Sequence, residues 1–174
     1  VEVVNNYKYL GVIFDDKLTW DMQSNKVCSK LNQRLFFLRK LNQFNVDNTL
    51  LFLFFNSCIH SIYSFCAIAW GGNCSKKQKS RINGVIKSSD KMIKVEQLSR
   101  FENVFLELCN KKLLSIMKDP THPLFSSIVH SSRNVNRLIH VKLRTSRYLN
   151  SFFPTAVRNF HPPKSCLLYT SDAA

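Results

Sequence analysis

Acidic residues are scarce in this chain: 11 Asp and Glu stand against 25 Lys and Arg in 174 residues, a formal net charge of +14. Glycine and proline are scarcer still, at four and five. So few of them argue against collagen-like chains, β-sandwiches and Gly-rich phosphate loops. The six cysteines include no Cys-x-x-Cys pair and the five histidines are scattered, so the short paired spacings of a zinc site are missing. A secreted disulfide framework is disfavoured by the chain's length. Nothing at the amino end has the charged, then apolar, then small-residue pattern of a signal peptide. No nucleophile–base pair or carboxylate pair stands out to mark a hydrolase or transferase.

What is present is the material for a core. Apolar residues make up 45% of the chain and phenylalanine alone contributes 14. Chain-wide disorder is excluded, because burial on this scale can offset chain entropy. The positive excess points to a polyanionic partner, nucleic acid before an anionic membrane. It is unevenly placed: residues 76–118 hold eleven Lys and Arg against four acids, whereas residues 49–70 hold no charge at all.

Residues 7–14, rich in aromatic and β-branched side chains, read as a strand between the turn signals Asn5-Asn6 and Asp15-Asp16-Lys17. Leu18-Thr19-Trp20 would return as its hairpin partner, within a sheet continued by strands upstream of Val1. From Asp21, an N-cap candidate, the period turns helical. Val27, Leu31, Leu35, Leu38 and Leu41 recur at three and four, with Lys26, Lys30, Arg34 and Lys40 on the polar side. Phe36 and Phe37 widen the apolar side and predict cover on more than one flank.

The uncharged stretch 49–70 predicts one buried central helix, capped by Asp47 or Asn48 and stopped at Gly71-Gly72-Asn73. Cys58, Cys66 and Cys74, eight apart, would then line that helix as small apolar residues, and His60 would be a satisfied core histidine. The same length also suits a membrane span, although Asn56, Ser57, His60, Ser61 and Ser64 interrupt it. Lys76, Lys77, Lys79 and Arg81 begin a further helix burying Ile82, Val85, Ile86, Met92 and Ile93. A helix over 98–117 buries Phe101, Val104, Phe105, Leu108 and Leu114 and ends before Asp119-Pro120. Beyond it, basic and aromatic residues alternate, and Phe153-Pro154 and His161-Pro162-Pro163 read as irregular chain.

Tyr7-Lys8-Tyr9-Leu10-Gly11-Val12, the Asp-bearing turn, Leu18-Thr19-Trp20 and the basic leucine helix resemble the end of the palm and the thumb of LINE-type, non-LTR retrotransposon reverse transcriptases. Arg34-Leu35-Phe36-Phe37-Leu38-Arg39-Lys40-Leu41, the apolar stretch closing on Trp70-Gly71, Thr121-His122-Pro123-Leu124 and residues 147–158 follow in the same order. The resemblance implies a mainly α fold with a short N-terminal β-hairpin, the truncated helical thumb bundle of a right-hand polymerase. It divides the chain into a palm-end hairpin (1–20), a thumb (21–118) and a basic tail (119–165). Residues 166–174 resemble a translated sequencing adapter and are set aside.

The implied function is a non-catalytic fragment of an RNA-directed DNA polymerase that grips the RNA/DNA template–primer duplex. Its partners would be the upstream palm and fingers of the same polyprotein, in the cytoplasm and nucleus, with no membrane. The catalytic aspartates and their Mg²⁺ ions would belong to the parent polymerase, so this fragment would carry no cofactor. Asp15 and Asp16 follow the Tyr-Leu-Gly strand, where the family's metal-binding turn precedes it, and they read as turn residues. Tyr9, Leu10 and Gly11 would form a primer-grip-like hairpin. Lys26, Lys30, Arg34, Lys76, Lys77, Lys79, Arg81, Arg144 and Arg147 would hold phosphates without reading sequence. Two other readings remain open: an independent basic helical nucleic-acid-binding module, and a small membrane protein anchored by residues 49–70.

Overall fold

The computed structural model describes residues 4–94, 98–128, 130–131, 134–139 and 144–160. The adapter-like residues 166–174 and His161-Pro162-Pro163 lie outside the described residues, as do the three before Val4. The chain is mainly helical with a short N-terminal hairpin. It divides into two compact units, the first ending at Phe105 and the second beginning at Leu106.

The first unit opens with β1 (Asn6–Tyr9) and β2 (Val12–Asp15), antiparallel, with Tyr9 opposite Val12. The stretch expected as one strand is therefore a whole hairpin. Its turn is Leu10-Gly11, at φ 44° and 87°. Positive φ at both central residues is the geometry that matches the twist of paired strands, and Leu10 fills a position usually given to Asn or Asp. The expected return strand, Leu18-Thr19-Trp20, is instead the approach to a helix. The Asp15 carboxylate accepts from Thr19 N (2.8 Å), Trp20 N (2.9 Å) and Thr19 Oγ1 (3.2 Å), organising that approach. These bonds, the backbone N–H of Thr19 foremost, hold its carboxyl below the usual carboxylate range. The two strands form a sheet of their own, and Ile13 N donates to Gln23 Oε1 of the following helix at 3.0 Å.

Helix α1 (Asp21–Gln43) follows, with Trp20 rather than Asp21 at its N-cap. Val27, Leu31, Leu35 and Leu38 are buried, as the period predicts, and Leu41 is half-buried. The helix ends in a Schellman motif. Asn45 is left-handed (φ 54°), Val46 N donates to Leu41 O and Asn45 N to Asn42 O. Phe36 and Phe37 stand exposed, 53% and 48%, where cover on a second flank was expected.

The central helix over 49–70 is broken. α2 (Asn48–Phe54), capped by Asp47 onto Thr49 N, runs into a π-helical stretch (Phe55–His60), then α3 (Ser61–Ser64). Phe65 and a left-handed Cys66 (φ 49°) interrupt it before α4 (Ala67–Trp70) and a 3₁₀ turn (Gly71–Asn73). Leu51, Phe55, Ile59, Tyr63 and Ala67 are all buried, four residues apart. On a straight α-helix each such step overshoots a turn by about 40°. The wider π turns reduce that overshoot and keep the apolar row facing inward. The cysteines accordingly do not share one buried helix: Cys74 is buried beyond the 3₁₀ turn, Cys66 is exposed at the break and Cys58 is half-buried. Among the described residues no single helix is long and apolar enough to cross a membrane; the pair 48–64 and 67–73, bent by 41°, passes by length and composition alone.

Helix α5 (Lys76–Ile93) starts with a capping box, Ser75 and Gln78 exchanging side-chain and backbone bonds. It buries Ile82, Val85, Ile86 and Ile93, leaves Met92 half-buried, and packs along α1. Asn83 carries the start of α6 (Phe101–Met117): its Oδ1 accepts from Phe101 N at 2.9 Å, and its Nδ2 donates to both Glu102 oxygens. Phe101 stacks on Trp70 (5.5 Å between centroids) and meets Tyr63 edge-on, while Trp70 Nε1 donates to Phe65 O. His60 lies half-buried, edge-on to Tyr63.

The boundary between the units falls within α6. In the second unit that helix buries Cys109, Leu113 and Ile116, and leaves Leu108 and Leu114, the expected core residues, half-buried. Asp119 then accepts from Thr121 N and Oγ1 to turn the chain. β3 (His130–Ser131) pairs antiparallel with β4 (Asn134–Leu138). α7 (Ser146–Leu149) is capped by Thr145 and followed by α8 (Phe152–Arg158). Phe153-Pro154, expected as irregular chain, is the first turn of α8, where the missing proline N–H would have no helical partner.

Candidate nucleic-acid interface

The nine basic candidates do not form one surface. On α1, Lys26, Lys30 and Arg34 recur every four residues and fall within about 80° of arc, a stripe on the hairpin side of the helix. Lys30 and Arg34 are exposed; Lys26 is half-buried. Burial first, then repulsion from Lys8 of β1 and from Lys30, lowers the Lys26 pKa. The charges acting on it are of its own sign, so the hairpin adds a fourth cation to the stripe.

Arg81 of α5 lies on a different flank of α1. Its Nη1 donates to Asn25 Oδ1 at 2.8 Å, and Asn25 is about 100° around the helix from Lys26. Gln78 donates to Asp21 Oδ1 one turn below, which fixes the register of α5 on α1. Lys76 and Lys79 line a groove of about 600 Å³ on α5, together with Lys87, Arg100, Asn83 and Glu102. Lys79 Nζ reaches Gly72 O at 3.4 Å. Lys77 is exposed on the first turn. Arg144 and Arg147 are exposed in the second unit.

Tyr9, Leu10 and Gly11 form the hairpin tip, with Tyr9 and Leu10 57% and 77% exposed. A Cβ on Gly11 would stand 3.4 Å from the Phe65 ring, so the tip makes a close approach to the α3–α4 break. Charge patterning did not single out Lys8, Lys87 or Arg100, which come near the candidates only through the fold. Phe36 and Phe37 were legible as aromatics but were assigned to the covered side.

Residues 20–61 match the family model of the N-terminal region of alkylated DNA repair protein alkB homolog 8. The match is to α1, α2 and the π-helical stretch, 42 of 174 residues, and includes Lys26, Lys30 and Arg34. No curated protein and no solved structure matches the chain. The matched family is not a reverse transcriptase, and this corrects the expected LINE-type identity and retrotransposon polymerase function. The primer-grip role of Tyr9, Leu10 and Gly11, the thumb bundle, the Mg²⁺ of a parent polymerase and the palm and fingers partners were implied by that identity alone and lose that support.

Burial pushes the thiols of Cys74 and Cys109 up to about 12 and raises that of Cys28, so these stay protonated and poorly nucleophilic at neutral pH. Among the described residues no three His, Cys, Asp or Glu are grouped to hold a metal ion.

Proposed function

We propose that this chain binds nucleic acid through the α1 stripe, by contact with phosphates and without reading sequence. The observation that carries the reading is the row Lys26, Lys30 and Arg34 with Lys8 beside it, cations whose mutual repulsion a row of phosphates would relieve. Supporting it are the net charge of +14 and the match of this helix to a protein whose name places it in DNA repair. Arg144 and Arg147, and the α5 cations Lys76, Lys77, Lys79 and Arg81, add general attraction that steers a polyanion to the molecule.

Fluorescence anisotropy with labelled oligonucleotides of unrelated sequence, titrated across salt, tests this. Affinity should vary little with sequence and fall steeply with salt. Each phosphate contact should contribute a slope of about −0.7 to −0.9 in log K against log salt. The variant Lys26→Glu/Lys30→Glu/Arg34→Glu should make the slope shallower by roughly two to three units. A salt-independent affinity, or a slope unchanged in that variant, would overturn the reading.

A further inference from the structure

Two aromatic rings stand on the solvent side of α1 with a cation on each. Phe36 and Phe37 meet edge-on, 5.7 Å between centroids. The Arg34 guanidinium lies over the Phe37 ring at 6.0 Å, and the Lys40 ammonium over Phe36 at 5.8 Å. The order in space is cation, ring, ring, cation; Phe37 lies within the arc of the Lys26–Lys30–Arg34 stripe, about 20° around the helix from Lys26 and one turn beyond Arg34, while Lys40 and Phe36 flank it about 40° and 80° to the other side of Lys26. Phe44, seven residues on and 78% exposed, extends the row.

An adjacent exposed pair of phenylalanines is costly in water, and neither ring is covered by the fold. Its charge surroundings restrict what could cover it. An apolar protein surface would have to bury Arg34 and Lys40 as well, whereas a nucleic-acid strand offers flat bases to the rings and phosphates to both cations.

We propose that Phe36 and Phe37 are a base-stacking platform that makes the α1 surface prefer single-stranded nucleic acid over duplex. Duplex bases are already stacked on one another and their faces are closed, while an open strand presents faces to any aromatic ring. The inference rests on the phosphate-binding reading of the same helix, since the platform would work only on a strand the stripe already holds. Selectivity would be for strandedness and not for base identity, because every base has a π-face.

The test compares one oligonucleotide, single-stranded and annealed as a blunt duplex, against the full chain and two variants. Phe36→Ala/Phe37→Ala should weaken single-strand binding about tenfold or more, leaving duplex affinity and the salt slope unchanged. Phe37→Trp should retain single-strand affinity, and its indole emission should be quenched by the single strand and not by the duplex. Equal affinity of the native chain for both forms, or an alanine pair that weakens neither, overturns the platform and leaves phosphate binding standing. Loss of an oligomer in the alanine pair by sedimentation, with single-strand affinity unchanged, would assign the rings to a protein contact and overturn it too. Failure of the native chain to bind either form at low salt would remove the underlying reading together with the platform.

Discussion

Helix α1 and the helical run from Asn48 to Trp70 are similar in length and differ in nearly everything else. α1 is an unbroken 23-residue helix with charge on its outer side. The other run carries no charge within 49–70 and is divided by a π-helical stretch and by a left-handed cysteine. The cause lies in the spacing of their apolar rows. Val27, Leu31, Leu35 and Leu38 mix steps of four and three, which average close to the 3.6 of an α-helix. Leu51, Phe55, Ile59, Tyr63 and Ala67 step by four throughout, a period that a straight helix cannot keep on one face. Composition alone suggests that both should be helical; phase decides which can be straight.

The most severe way to break that contrast is at Trp70, fully buried, stacked on Phe101 and donating to the Phe65 carbonyl. Trp70→Ala should cost about 3–5 kcal/mol in urea unfolding, whereas Phe36→Ala on α1 should stay within about 0.5 kcal/mol. Deleting exposed Ser57 would shorten the step from Phe55 to Ile59 to three and give the run the mixed spacing of α1, so the π stretch should revert to α-helix with Ile59 and Tyr63 still facing inward. The deletion should therefore cost about 1 kcal/mol or less in urea unfolding, whereas deleting a residue of α1 between Leu31 and Leu35, where no wide turn can absorb it, should cost more.

Smaller changes sharpen the comparison. Cys66→Gly relieves a left-handed φ of 49° at an exposed position and should raise stability by about 0.5–1 kcal/mol, read as a higher Tm. The gentlest test concerns the entrances. The Thr19 backbone N–H foremost depresses the pKa of Asp15 before α1, and the Thr49 side chain, then its backbone N–H, depresses that of Asp47 before α2. Depressed carboxyls contribute stability above the unfolded value near 3.8, and that stability is lost as pH falls through the folded value. Asp15→Asn should therefore unfold at lower urea than the native chain at pH 7. The difference should close as pH falls below 3.8 and through the lower folded-state value.

These particulars show what could be read from sequence. The α1 stripe, the Asp47 cap and the stop at Gly71-Gly72-Asn73 follow from local rules and were legible. The hairpin was misjudged because Leu10-Gly11 lacks the Asn or Asp that marks such turns, so eight β-prone residues read as one strand. The π stretch was not legible, because no residue type signals it; only the uniform step of four does, and only if its phase is followed. For the candidate interface, the basic residues could be named from the sequence but their grouping in space could not. Which flank of α1 faces α5 is set by Gln78 on Asp21 and Arg81 on Asn25, contacts separated by 57 and 56 residues. Phe36 and Phe37 were assigned to the covered side, although their helical phase, about 100–160° from Leu31 and Leu35, places them in water.

Both tryptophans of the chain, Trp20 and Trp70, are buried in the first unit, one edge-on to Phe14 at the mouth of α1 and one stacked on Phe101. Intrinsic indole emission is thus an optical reporter of residues before Leu106 alone. A fluorescence melt therefore follows the surroundings of Trp20 and Trp70, whereas a circular-dichroism melt follows helix in both units. A gap between their midpoints would show, without a label, that the two units melt separately.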